Sequence, residues 1–66
     1  MMLSQYQIRI LATPLSATRA ELSKLFGVSQ NTIKYHVKVI NRILQTPNLF
    51  EAKLLARQRG IVQDQQ

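Results

Sequence analysis

GVSQNTIKYHVKVINRILQ, residues 27–45, is the stretch whose reading decides the fold. Taken as a helix beginning after Ser29, it sets Ile33, Val37, Ile40 and Leu44 on one stripe, at spacings of four, three and four. At about 100° per residue, Asn31, Lys34, Tyr35, Lys38 and Arg42 fall on the opposite side. The segment carries cations at Lys34, Lys38 and Arg42, and no acid between Ser29 and Gln45. One face suits a core; the other suits a negatively charged surface.

Immediately upstream, Thr18-Arg-Ala-Glu21 is a T-x-x-E capping box, in which hydroxyl and carboxylate each take a free backbone N–H. The helix it starts is expected to turn Leu22, Leu25 and Phe26 inward and Arg19, Glu21 and Lys24 outward. Gly27 follows, where a chain leaving a helix commonly takes a left-handed backbone. Val28 is expected to fold onto the core and Ser29 to cap the next helix. Two capped helices joined across a glycine turn make a helix-turn-helix pattern.

Further out, Ser4 opens a first helix, with Gln7 placed to reach back to it and Leu3 and Ile8 placed as a hydrophobic staple. Ile8 to Leu11 or Ala12 form its apolar side, and Thr13-Pro14 stops it, because proline disfavours helical geometry in the residue before it. Leu15, in the connection at 13–17, is expected to plug the core. Beyond the long helix, Pro47-Asn48 begins a last one, at roughly 49–59, with Asn48 as cap and Glu51 at its third position. Leu49, Ala52 and Ala56 make one apolar row there, with Phe50, Leu54 and Leu55 around it. A bundle this small does not bury both sides, so the surplus is either ordinary exposure or a self-association surface. Gly60 ends that helix, and Ile61 and Val62 are expected to turn back to the core. The expected fold is all-α: a small four-helix bundle containing a helix-turn-helix over residues 1–62, followed by a polar tail at 63–66 expected to fray.

Sixty-six residues allow one domain with a thin core, and the absence of cysteine removes disulfides and thiolate zinc sites as supports. At 45% hydrophobic the chain is too apolar for a disordered basic tail, and a net charge of +6 favours a polyanionic partner. No apolar run approaches the roughly 20 residues of a membrane span, and the start M-M-L-S-Q-Y-Q has neither the basic nor the apolar region of a signal peptide. A cytoplasmic protein with no membrane contact is expected. His36, the only histidine, lies at the edge of the apolar stripe beside Ile43, where a packed, hydrogen-bonded structural role is expected. Glu21, Glu51 and Asp64 are scattered, so neither a metal site nor a catalytic triad can be assembled from them. Neither enzymatic activity nor a cofactor is expected.

From Thr18 to Leu44 the pattern resembles the LuxR-type (GerE-like) helix-turn-helix, within the winged-helix-like superfamily. The residues that carry it are Glu21-Leu22-Ser23, Gly27-Val28-Ser29, Gln30 and Asn31-Thr32-Ile33-Lys34-Tyr35-His36. Glu51 to Ile61, E-A-K-L-L-A-R-Q-R-G-I, is similar to the family's fourth helix. The start departs from the family, with Leu3-Ser4-Gln5 standing where T-P-R-E-R-E is usual. The usual sensory domain is not expected here, leaving a stand-alone module.

A major-groove helix needs long donors on the outer face of its N-terminal half. Lys34 and Lys38, one turn apart, meet that need, and the resemblance implies base contacts at the same two positions, with Tyr35 between them. Ser29, Gln30, Asn31 and Thr32 lie at the helix start, where free N–H groups and the dipole favour a phosphate. Thr18 and Lys24 are candidates for the neighbouring strand, and Arg42 for a distal phosphate. The resemblance also implies a dimer contact on the last helix, through Phe50, Lys53, Leu54 and Arg57. The expected function is a sequence-specific regulator of transcription, homodimeric on double-stranded DNA at a bacterial or phage nucleoid, with RNA polymerase as a possible further partner. The alternative is an interaction module whose last helix pairs with a larger LuxR-type regulator and blocks it.

Overall fold

Each helix begins at a side chain that takes one of its free N–H groups. Ser4 Oγ accepts the Gln7 N–H at 3.1 Å, and Gln7 Oε1 returns the favour by accepting the Ser4 N–H at 3.1 Å. Thr18 and Glu21 form the same reciprocal pair, at 3.2 and 2.8 Å. Ser29 Oγ accepts from Thr32 at 3.2 Å, and Asn48 Oδ1 from Glu51 at 2.9 Å. A lost cap of this kind typically costs about 1 kcal/mol, a large share in a domain this small.

These caps open four helices in a computed structural model that describes residues 2–63. They are α1 (Gln5–Leu11), α2 (Arg19–Phe26), α3 (Gln30–Leu44) and α4 (Leu49–Gln58), with no strand among the described residues. The expected all-α, four-helix architecture is what the chain adopts. Residues 64–66, most of the segment expected to fray, lie outside the described residues.

The helix ends are also built locally. Gly27 has φ +68°, and the hydroxyl of Ser23 donates to the Val28 carbonyl across that turn. Gln45 closes α3 at φ 57°, a left-handed conformation that a side chain with a Cβ resists. Asn41 holds it there: its carbonyl accepts the Thr46 N–H at 2.9 Å, and its Oδ1 accepts the Thr46 hydroxyl at 2.8 Å. Past α4, Ile61 donates its N–H to the Ala56 carbonyl at 2.8 Å, which returns Val62 to the core.

α3 is the central element, packed on α1, α2 and α4. Its Ile33 and Ile40 are wholly buried, with Leu44 nearly so, against Ile10 and Leu11 of α1, Leu22 of α2 and Ala52 and Ala56 of α4. The two alanines let α4 lie close to its neighbours. Two expectations for the core are corrected. Leu25 is 69% exposed: Leu22 and Phe26, one turn apart, already fill the inward row of α2, and Leu25 sits on its flank. Leu15 is 37% exposed and plugs nothing; the buried side chain of its connection is Thr13, whose hydroxyl donates to the Ile10 carbonyl.

That connection is held by α4. Lys53 Nζ donates to the Pro14 carbonyl at 2.6 Å. Arg57 donates from Nη1 to the Leu11 carbonyl and from Nη2 to the Thr13 carbonyl, each at 3.0 Å, and from Nη1 to the Lys53 carbonyl at 3.2 Å. A short helix stopped by a proline leaves carbonyls without N–H partners, here those of Leu11 and Thr13, while the Pro14 carbonyl also accepts the Ala17 N–H at 3.0 Å; cations at a helix C-terminus also complement its dipole. Lys53 is only 1% exposed, so the expectation that it forms a dimer contact is corrected: its ammonium is committed within its own subunit. The guanidinium of half-buried Arg57 is engaged in the same way. Burial first, and the neighbouring Arg57 charge second, hold Lys53 below the ordinary lysine range.

Candidate nucleic-acid interface

The outer face of α3 follows from its inner one. Burying Ile33, Ile40 and Leu44, with Val37 half-buried between them, fixes the helix's rotation. Asn31, Lys34, Tyr35, Lys38 and Arg42 then stand exposed, Tyr35 at 63%. Lys34 and Lys38 occupy successive turns and are both exposed. With no acid along α3, nothing on the helix neutralises its three cations. A strip of this charge and about 22 Å in length, at roughly 1.5 Å per residue, can lie along a groove of a nucleic-acid duplex.

At the N-terminus of α3, Ser29, Gln30 and Asn31 are exposed and Thr32 half-buried. Ser29 Oγ and Thr32 Oγ1 are 3.1 Å apart, so the cap and the first turn share a hydrogen-bonded pair of hydroxyls. On α2, Thr18 and Lys24 are both exposed, and Thr18 Oγ already accepts the Glu21 N–H. The two hydrogen bonds from Thr18 hold the Glu21 carboxyl below the usual carboxylate range, the backbone one foremost. On α4, of the residues expected at a dimer contact, Phe50 is 51% exposed and Leu54 and Arg57 are half-buried.

One set of contacts had no counterpart in the reading of the sequence. His36 stacks on Tyr6 of α1, ring centroids 4.7 Å apart, and Tyr35 meets it edge-on at 5.5 Å. Tyr6 in turn packs on Phe26 of α2 at 5.2 Å. Four rings thus run from the exposed face of α3 to the joint of α1 and α2. Gln7, only 7% exposed, brings its Nε2 to 3.5 Å from His36 Nδ1. The histidine is packed and hydrogen-bonded, as its place beside the apolar stripe suggested. What the sequence did not signal was the partner, 29 residues away. The Tyr6 hydroxyl is buried with no hydrogen-bond partner among the described residues.

Among the described residues no group of His, Cys, Asp or Glu is placed to hold a metal ion, and no helix is long and apolar enough to cross a membrane. The chemistry on offer at this face is donation: ammonium and guanidinium groups, hydroxyls, amides and the N–H groups of a helix start. Searches of family models, curated proteins and solved structures found nothing that matches the chain.

Proposed function

We propose that this chain is a sequence-specific, DNA-binding regulator of transcription of LuxR type that lays α3 in the major groove. The observation that carries the reading is the division of α3 into a buried apolar stripe and an exposed, acid-free face bearing Lys34, Tyr35 and Lys38. Lys34 and Lys38 are the base-reading donors, with Tyr35 against a thymine methyl or a phosphate. Ser29, Gln30, Asn31 and Thr32 grip a phosphate at the helix start, Thr18 and Lys24 one from α2, and Arg42 a distal one. Phe50 and Leu54 supply the apolar contact by which two copies sit on a two-fold site, and the place of action is the nucleoid.

The test is selection of bound duplexes from a random pool, followed by mobility shifts with the mass of the complex measured alongside. Wild type binds a selected site as a dimer. Lys34→Ala with Lys38→Ala binds it about a hundredfold more weakly, since each base-reading donor is worth about 1–3 kcal/mol. Undiminished binding by the double variant sinks the assignment. A complex containing one copy, with a larger regulator held on α4 in the absence of DNA, replaces the homodimer by the antagonist reading.

A further inference from the structure

His36 has two ring nitrogens, and the fold accounts for one. Gln7 Oε1 is occupied by the Ser4 N–H in the cap of α1. That bond fixes which end of the amide is which, so the end facing His36 Nδ1 is the NH2 group. An amide NH2 only donates. Nδ1 must therefore accept, and in the neutral ring the proton sits on Nε2. Nε2 itself is reached by solvent and has no partner among the described residues. A cap on α1 thus sets the tautomer of a residue on α3 and leaves its N–H free.

His36 shares its edge of α3 with hydroxyl donors. Ser29, Thr32 and His36 follow one another at spacings of three and four, so they form one row along an edge of α3. The first two carry the paired hydroxyls, 3.1 Å apart, at the positive end of the helix. The third adds an aromatic N–H held in place by Tyr6 on one side and Tyr35 on the other. A row of neutral donors along the flank of a groove-reading helix matches a backbone phosphate, which lies beside the base edges and accepts from any oxygen.

We propose, resting on the DNA-binding reading above, that His36 is a phosphate-binding residue, held by Gln7 as the Nε2–H tautomer and donating that proton from the edge of α3 that also carries Ser29 and Thr32. Its role is then recognition as well as packing. Gln7 is a positioning residue: it never meets DNA, yet it decides which nitrogen presents the hydrogen.

Two side chains separate this from a purely structural histidine. Asn places its amide where Nδ1 was, and Gln places its amide where Nε2 was. With helix content unchanged, His36→Gln should bind the selected duplex within about threefold of wild type, and His36→Asn about tenfold or more weakly, as expected for one lost bond to a charged acceptor. The reverse order overturns the proposal, because it makes the Gln7 contact the one that matters.

Should His36→Asn fail to fold, wild type labelled with 15N in its imidazole gives the answer directly. The free protein should show the Nε2–H tautomer, and saturation with the duplex should shift that N–H downfield and slow its exchange with water. An Nδ1–H tautomer, or an Nε2–H signal indifferent to DNA, overturns the proposal. Failure of wild type to bind any selected duplex removes the DNA reading and this contact together, while the tautomer of the free protein still tests Gln7 alone.

Discussion

Two pairs of cations in this molecule share one spacing and have opposite fates. Lys34 and Lys38 on α3, and Lys53 and Arg57 on α4, each stand four residues apart on a helix. The first pair is exposed beside no acid of its own helix. The second is turned inward onto the carbonyls of Leu11, Thr13 and Pro14. The difference lies in what faces them. α4 runs beside the end of a short helix, where the Leu11 and Thr13 carbonyls take its donors; the charged face of α3 is exposed. A pair of cations one turn apart is therefore no sign of a ligand until the structure shows whether the fold has already taken it.

The comparison can be broken in either half. The largest expected effect is on binding: the double alanine variant at Lys34 and Lys38 loses its hundredfold in affinity while its unfolding free energy stays within about 0.5 kcal/mol of wild type, as for surface substitutions generally. A large loss of stability would mean that these lysines too are structural. Next comes Arg57→Ala, which leaves the Leu11 and Thr13 carbonyls without their charged donor. Urea unfolding should show about 3 kcal/mol lost, with DNA binding of the folded fraction unchanged. Equal stability would return Arg57 to the surface.

Smaller effects sharpen the picture. Tyr6→Phe removes a buried hydroxyl that has no partner among the described residues and keeps the ring stack, so thermal unfolding should show a gain of about 1 kcal/mol. A loss instead would reveal a partner for that hydroxyl. The smallest effect is the pH response of Lys53, whose ammonium burial and Arg57 hold below the ordinary lysine range. The folded chain gives up this proton before the unfolded chain does. The penalty of burying the charge is full below the folded value and fades as pH climbs toward the ordinary one, so Lys53 adds a rise in stability across that window. Denaturation curves at successive alkaline pH values should show this rise in wild type and not in Lys53→Met.

What could be read from the sequence was what neighbours in sequence decide. Ser4 with Gln7, Thr18 with Glu21, Ser29 and Asn48 are caps whose partners lie three residues away, and all four helices begin where they indicate. The left-handed turn at Gly27 follows from the absence of a side chain. The two faces of α3 follow from its period. The missed features were set across the fold: Lys53 and Arg57 meet acceptors 39 to 46 residues away, and Gln7 meets His36 at a distance of 29. A local sign of the first existed, since Lys53 and Arg57 border the Ala52 and Ala56 row that α4 buries. Leu25 was misplaced because an eight-residue helix with three apolar side chains within five positions has room inward for two of them.

The grip of α4 on the end of α1 also bears on how this protein comes into being. A ribosome delivers α1 before α4, and α1, at seven residues, is too short to persist alone in water. The Leu11 and Thr13 carbonyls at its end stay in water until Arg57 has been synthesised. The helix bearing the exposed lysines leaves the ribosome before the brace that completes its bundle. Translation halted before Arg57 should therefore leave a nascent chain that proteases cut readily.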